Sequence, residues 1–324
     1  MSHTQPLLAP SVATLVVGAK GLLGREILAA HPEDALALAA DWTSRDTVVT
    51  SMERGIAEFF GSGRTLRGWS IVWAAGRCVV SSTVKDVADE SDYFQIFLDA
   101  IRRHGMAFAN GQVSFISSAG GVYGGSSTPQ PFSETADLVS ISPYGSAKIH
   151  QEHQLEALGA ELGFSRALFR PGNLYGVRQD VNKAQGLISH LILSAATQAP
   201  INVYVPLDSR RHYIVARDAA RKISMSLESQ RLARSPSLVK NIYGGPATSV
   251  ASLISLVEAV SGRPIRLTRS RNNQSHRQPI DVLLASNVLV EIDAVQCVSL
   301  EQGVREMIEH IVNTTQDASV PATN

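Results

Sequence analysis

Tyr144 and Lys148 are four residues apart in Pro-Tyr-Gly-Ser-Ala-Lys, residues 143–148. On a helix this spacing puts both side chains on one face. A neighbouring ammonium favours the phenolate, which lets a tyrosine take or give a proton near neutrality. The same pair occurs on ordinary surface helices, so its meaning depends on what else the chain brings to it. One companion is Val-Val-Gly-Ala-Lys-Gly-Leu-Leu-Gly, residues 16–24, where Gly18, Gly21 and Gly24 lie between an apolar run and a helical pattern. Such a turn lets the backbone N–H groups of a helix start approach a pyrophosphate, with Lys20, Leu22 and Leu23 between the glycines. Asp41 follows about twenty residues on and has the spacing to accept the adenosine ribose hydroxyls of NAD. Ser44 and Arg45 come soon after and could instead hold the 2′-phosphate of NADP. The pattern favours NAD and leaves NADP open.

These residues need strands that end at a common edge. Ala13 to Val17 reads as a buried strand, Leu22 to Ala30 as a helix stopped at His31-Pro32, and Ala35 to Ala40 as a weaker strand. Glu53 to Phe60 reads as a helix and Ser70 to Ala75 as a strand. Phe94, Phe97, Leu98 and Ile101 recur at i, i+3, i+4 and i+7, which predicts an amphipathic helix ending near Gly105. Val113 to Ile116, Tyr144 to Leu162 and Ser165 to Phe169 continue the alternation as strand, helix and strand, with Gly163 as the helix stop. Strands alternating with helices imply an α/β fold with a doubly wound parallel sheet, of the Rossmann type. After Arg170 the rhythm breaks into loops and short elements, with helices around Leu253, Ile254 and Val257 and around Leu300, Val304, Met307, Ile308 and Ile311. The expected organisation is a polar tail over 1–12, a dinucleotide-binding domain over 13–172, and a smaller C-terminal substrate domain over 173–324. That smaller part should cap the carboxyl edge of the sheet, where open α/β sheets bind ligands.

The chain has 324 residues, 44% hydrophobic and 18% charged, and its 29 basic residues balance its 29 acidic ones. A zero net charge argues against a general nucleic-acid or membrane-surface binder. No apolar run has the length of a membrane span, and residues 1–11 lack the features of a secretory signal, so the expectation is a cytoplasmic protein. Cys78 and Cys297 are far apart and stand in no ligand spacing, and His150, His153 and His212 have no third ligand near them, so no metal site is expected.

Several further stretches carry a family resemblance. Tyr144-Gly-Ser-Ala-Lys148 lies downstream of Ser117-Ser118-Ala-Gly-Gly-Val-Tyr-Gly124, and after it come Arg170-Pro-Gly-Asn-Leu-Tyr-Gly176, Arg211-His-Tyr-Ile-Val-Ala-Arg-Asp218 and Asn241-Ile-Tyr-Gly-Gly. Together with the glycine turn, this succession resembles the extended short-chain dehydrogenase/reductases, and within them the NAD-dependent epimerase/dehydratase group that acts on nucleotide sugars. The resemblance implies that Tyr144 is the acid/base at a sugar hydroxyl and that Lys148 binds the nicotinamide ribose. It places Ala74, Ala75, Gly76 and Pro171 at the cofactor, and Asn173, Gln185, Leu187 and Arg211 at the substrate, with Arg211 on its diphosphate. Arg178, Arg277 and Asp281 are further loop candidates. It also implies that a late strand near 239–244 rejoins the sheet, and that the helices around Phe94 and Leu155 pair in a homodimer.

One departure stands out. The family's catalytic Ser/Thr position is occupied by Ala119, which shifts the expected substrate-orienting role to Ser118, with Ser117 in reserve. Gly120 and Gly121 stand where dehydratases of the group carry acidic residues, which disfavours elimination of water. The resulting expectation is an NAD-dependent nucleotide-sugar epimerase that works by hydride transfer through a keto-sugar. An NADP-dependent nucleotide-sugar or carbonyl reductase is the nearest alternative. A non-catalytic dinucleotide sensor or scaffold is the alternative of another class.

Overall fold

The computed structural model describes residues 12–104, 111–179, 186–269 and 280–317. The chain begins with β1 (Ala13–Val17), α1 (Leu22–Ala30), β2 (Ala35–Leu38) and α2 (Arg45–Gly61). A 3-10 turn leads into β3 (Trp69–Trp73), followed by α3 (Val84–His104), β4 (Gly111–Ile116) and the single turn α4 (Ala119–Val122). Then come α5 (Pro143–Leu162), β5 (Ser165–Pro171), β6 (Asn173–Tyr175), α6 (Leu187–Thr197), β7 (Ile201–Val203), β8 (Arg210–Arg211) and β9 (Tyr213–Val215). The rest is α7 (Ala216–Leu232), β10 (Ser237–Ile242), β11 (Thr248–Ser249), α8 (Val250–Ser261), β12 (Leu267–Arg269), α9 (Val290–Asp293) and α10 (Leu300–Asp317).

Six strands form one parallel sheet in the order β10-β5-β4-β3-β1-β2. The chain is therefore an α/β protein with the doubly wound arrangement read from its alternation. Side chains of β1 go to opposite faces in turn, as strand geometry requires. Leu15 and Val17 join Trp73, Phe94, Phe97, Phe115 and Leu155 under α2, α3 and α5. Val16 joins Leu23, Ile27, Phe169, Ala219 and Ile223 under α1 and α7. Each aromatic or large aliphatic side chain sealed this way contributes about 1.5–3 kcal/mol. β10 closes the far edge, with Ser237 to Ile242 in register against Arg166 to Pro171 of β5.

A separate apolar cluster gathers α6, α8 and α10 around Leu191, Ile192, Leu253, Val257, Val304 and Met307. It joins the sheet through β6, which pairs with β9 and follows β5 after the single residue Gly172. Among the described residues no helix is long and apolar enough to cross a membrane.

α2 starts earlier than its apolar spacing suggested, at Arg45 instead of Glu53. The cause is a cap: Ser44 accepts the Thr47 N–H while the Thr47 side chain accepts the Ser44 N–H. This reciprocal arrangement satisfies orphan donors of the first turn. The tail expected over 1–12 lies, apart from Val12, outside the described residues.

Candidate active site

The glycine turn sits where the sheet order reverses, between β1 and β3. In open α/β sheets this switch point is where ligands gather. Gly18 has φ +86°, and a Cβ there would stand 2.5 Å from the Ala75 backbone nitrogen, so only glycine lets the turn pass so close to the end of β3. Gly21 is exposed and precedes α1 with no side-chain cap, and no acidic residue occupies the first turn of that helix. Uncapped N–H groups at a helix start attract an anion. Backbone that no side chain shields and an uncapped helix start fit a dinucleotide pyrophosphate. Ala74, Ala75 and Gly76 follow directly at the end of β3, and the first two lie against the glycine turn.

Asp41 lies beyond the end of β2. Its Oδ1 accepts the backbone N–H of Thr43 at 3.0 Å and also the Thr43 hydroxyl, and these bonds hold the carboxyl below the usual range. Arg45 points away from a 2′-phosphate role: its Nε donates to Asp92 Oδ2 at 2.8 Å.

The second element of the site is the start of α5. Ser142 caps it by accepting the Gly145 N–H at 3.1 Å, and Pro143 occupies its first turn. A Cβ on Gly145 would collide with the backbone of Gly121, so glycine allows α4 to lie directly against this turn. The contact brings Ser118, the cap of α4, beside Tyr144, where its hydroxyl favours the ionised phenol. Ala119 instead faces inward, fully buried with Val122, Tyr123, Phe132 and Val282. The serine that reaches the phenol is thus Ser118. Ser117 is also buried, but its hydroxyl has no hydrogen-bond partner among the described residues.

Lys148 stands one turn along, its Nζ 5.6 Å from the centre of the Tyr144 ring and 4.8 Å from that of Phe115. The nearby ammonium does not make Tyr144 an easy base in the free protein. Burial raises the phenol above its ordinary value and outweighs the downward pull of Lys148 and Ser118, while Glu90 and Cys78 add to the rise. Burial thus overrides the depression of the phenol that the Tyr-x-x-x-Lys spacing predicts.

Lys148 also has a partner that the sequence reading missed. Glu90, on α3, is 8% exposed and places Oε1 3.4 Å from Lys148 Nζ. Its Oε2 accepts the backbone N–H groups of Arg77 and Cys78, both at 2.8 Å. Burial would raise this carboxyl, but Lys148 and these donors prevail and hold it below the usual carboxylate range. Burial and the adjacent Glu90 push the Cys78 thiol up to about 12. The available signal was an acid on an apolar stripe, since Val87, Glu90, Phe94 and Phe97 share one helical face.

Of the expected substrate residues, Asn173 lies on β6, Leu187 on α6 and Arg211 on β8. Pro171 ends β5, and Asn173 opens β6 opposite Tyr213, to whose hydroxyl its side chain is hydrogen-bonded. Arg211 lies on β8 and donates to the carbonyls of Arg210 and Ile280, and burial lowers its pKa. Asp281 is taken by Arg210, through Nη2 at 2.8 Å and the backbone N–H at 2.7 Å. Leu187 opens α6 and packs against the second apolar cluster. Gln185 and Arg277 lie outside the described residues. Among the described residues no group of three His, Cys, Asp or Glu side chains is disposed to hold a metal ion.

Comparison with known proteins identifies the family of the chain. The model of the NAD dependent epimerase/dehydratase family matches residues 71–240. Over 147 residues the chain is 31% identical to the dTDP-4-dehydro-6-deoxyglucose reductase of Escherichia coli, covering 45% of each chain. Over 173 residues it is 27% identical to the uncharacterized UDP-glucose epimerase YtcB of Bacillus subtilis, covering 53% of this chain and 51% of that one. The chain thus spans about half the length of these two relatives. A solved structure of the UDP-glucose 4-epimerase of Thermus thermophilus in complex with NAD superposes with a TM-score of 0.75 at 21% identity, over 93% of this chain and 99% of that one. At that identity the likeness shows the fold.

Proposed function

The chain belongs to the NAD dependent epimerase/dehydratase family, and from that premise we propose that it is an NAD-using nucleotide-sugar epimerase working through a keto-sugar. The observation that carries this reading is the Tyr144, Ser118 and Lys148 cluster at the same sheet edge as the glycine turn. Bound NAD supplies the acceptor and donor of hydride. Gly18, Gly21 and Gly24, with Lys20, Leu22 and Leu23, hold its diphosphate, and Asp41 accepts its ribose hydroxyls. Ala74, Ala75, Gly76 and Pro171 line its path, and Lys148 binds the nicotinamide ribose.

Acting as its phenolate, Tyr144 would take the proton of a sugar hydroxyl and become the neutral phenol as hydride leaves the carbinol carbon for NAD. It returns that proton after the keto-sugar has turned over and hydride has come back to the opposite face. Ser118 orients the hydroxyl, while Asn173, Gln185, Leu187 and Arg211 hold the nucleotide-sugar. Holding the carbon at near-attack distance contributes most of such a rate. The Arg45 bond to Asp92 and the exposed Asp41 carboxyl favour NAD over NADP. Asp41→Ala should weaken NAD about tenfold while leaving NADP nearly unchanged, and equal losses for both cofactors would remove Asp41 from that role.

The likeness to a keto-sugar reductase favours reduction as the second reading. Two measurements decide between them: the nucleotide released on denaturing the purified protein, read by mass spectrometry, and product formation from UDP-glucose. Bound NAD with appearance of the 4-epimer supports the epimerase. Net NADPH consumption with a 4-keto-sugar supports the reductase, and no dinucleotide binding at all would sink both. A homodimer through α3 and α5, which are linked by Gln154 to Gln95 at 2.6 Å and by Arg102 to Glu161 at 2.9 Å, belongs to this proposal. So does a cytoplasmic location. Sedimentation tests the first and cell fractionation the second.

A further inference from the structure

We propose that Glu90 is a positioning residue for the Tyr144–Lys148 pair: a fixed counter-charge that ties Lys148 to the loop after β3 and tempers its hold on the phenol. The inference begins with the place of the carboxylate. It sits on the apolar stripe of α3, between Val87 and Phe94, where a leucine would pack at no electrostatic cost. A buried carboxylate there is costly unless every lone pair it turns inward is met. Glu90 meets that demand from two elements besides its own helix: the N–H groups of Arg77 and Cys78 in the loop after β3, and the ammonium of Lys148 on α5. It also lies under the loop itself, for a Cβ on Gly76 would stand 3.2 Å from Glu90 Oε1.

The contact with Lys148 is long. Charge-assisted N–H···O bonds run at about 2.7–2.9 Å, and this one measures 3.4 Å. An ammonium has three donors, so a single loose contact holds its position and leaves donors for another occupant. The groups facing the Tyr144 phenol divide evenly. Lys148 on its own helix and Ser118 at α4 favour the ionised form; Glu90 on α3 and Cys78 in the loop oppose it. Glu90 in turn is faced by Lys148, by the Cys78 thiol and by two backbone donors. Burial is the largest influence that keeps the phenol protonated; of the two groups that add to it, Glu90 alone carries a full negative charge at neutral pH, so it is the one whose charge offsets that of Lys148.

This inference rests on the reading of Tyr144 as the acid–base group only for its catalytic meaning, and its test is made on the free full-length protein. Carbon-13 labelling at tyrosine Cζ follows each phenol by NMR, and Tyr144→Phe assigns the signal. Removing one negative charge in Glu90→Gln should lower the Tyr144 midpoint by roughly one unit, whereas Glu90→Asp, which keeps the charge, should stay near wild type. An unchanged or raised midpoint in folded Glu90→Gln overturns the proposal. Should Glu90→Gln fail to fold, the Glu90 carboxyl itself is followed through carbon-13 at Cδ. The proposal expects it ionised at neutral pH in the wild type, with a midpoint that rises in Lys148→Met, and a neutral Glu90 overturns it. Full turnover in Tyr144→Phe would instead strike at the acid–base reading and leave the titration result standing.

Discussion

Two buried ion pairs lie one helical turn apart on α5 and are built differently. Glu152 receives Arg170 through both carboxylate oxygens, from Nε at 3.1 Å and Nη2 at 2.6 Å. The remaining nitrogen of that guanidinium donates to the Tyr123 hydroxyl at 2.8 Å and the Glu134 carbonyl at 3.2 Å. The network runs on through Asn241, which accepts from Tyr123, and through Glu134, which accepts the backbone N–H groups of Asn241 and Asn287. Every nitrogen of the guanidinium is used, and the result is a joint between α5, the sheet edge and the segment around Ser286. Lys148, by contrast, has one contact at 3.4 Å and two aromatic faces. A saturated pair holds the fold, while an unsaturated one keeps binding capacity for something else. Burial alone does not separate them, since the side chains are 4% and 1% exposed in the first pair and 5% and 10% in the second.

The largest effect should come from breaking the saturated pair. Arg170→Met leaves Glu152 buried and unpaired and should lower the unfolding free energy by about 3–5 kcal/mol, read by urea denaturation. A loss below about 1 kcal/mol, the scale of a surface pair, would erase the contrast. Lys148→Met should behave in the opposite way. Glu90 keeps its two backbone donors, so stability falls less than in Arg170→Met, while turnover drops on the order of a hundredfold. If the two variants unfold alike, the distinction fails.

How much of this was legible in the sequence follows from the range of the interactions. The alternation of strand and helix, the glycine turn and the Tyr144–Lys148 spacing are local, so the sheet and both halves of the site could be read directly. The early start of α2 was local too, but its cap uses Thr47 where the commoner pattern has Glu or Gln. The partners of Arg170 sit 18 to 47 residues away, and Glu90 meets Lys148 across 58 residues. No periodicity encodes such pairings. Ser118 was legible only as an ambiguity, because the one-residue choice between it and Ala119 depends on which side of α4 faces the phenol.

That ambiguity supplies the smallest expected effect. Ser118→Ala removes one orienting hydrogen bond and no proton acceptor, so turnover should fall about tenfold with NAD affinity unchanged. A loss as large as that of Lys148→Met would mean the hydroxyl does more than orient.

The central claim is that the phenol of Tyr144 moves the proton while hydride crosses to bound NAD. The most direct measurement is a single turnover in which NAD-loaded protein is mixed with UDP-glucose and NADH absorbance is followed. Tyr144→Phe removes only the phenol oxygen, so NAD should still bind, and hydride transfer should slow by about 10²–10⁴-fold relative to the wild type. Transfer at the wild-type rate in Tyr144→Phe would contradict the account.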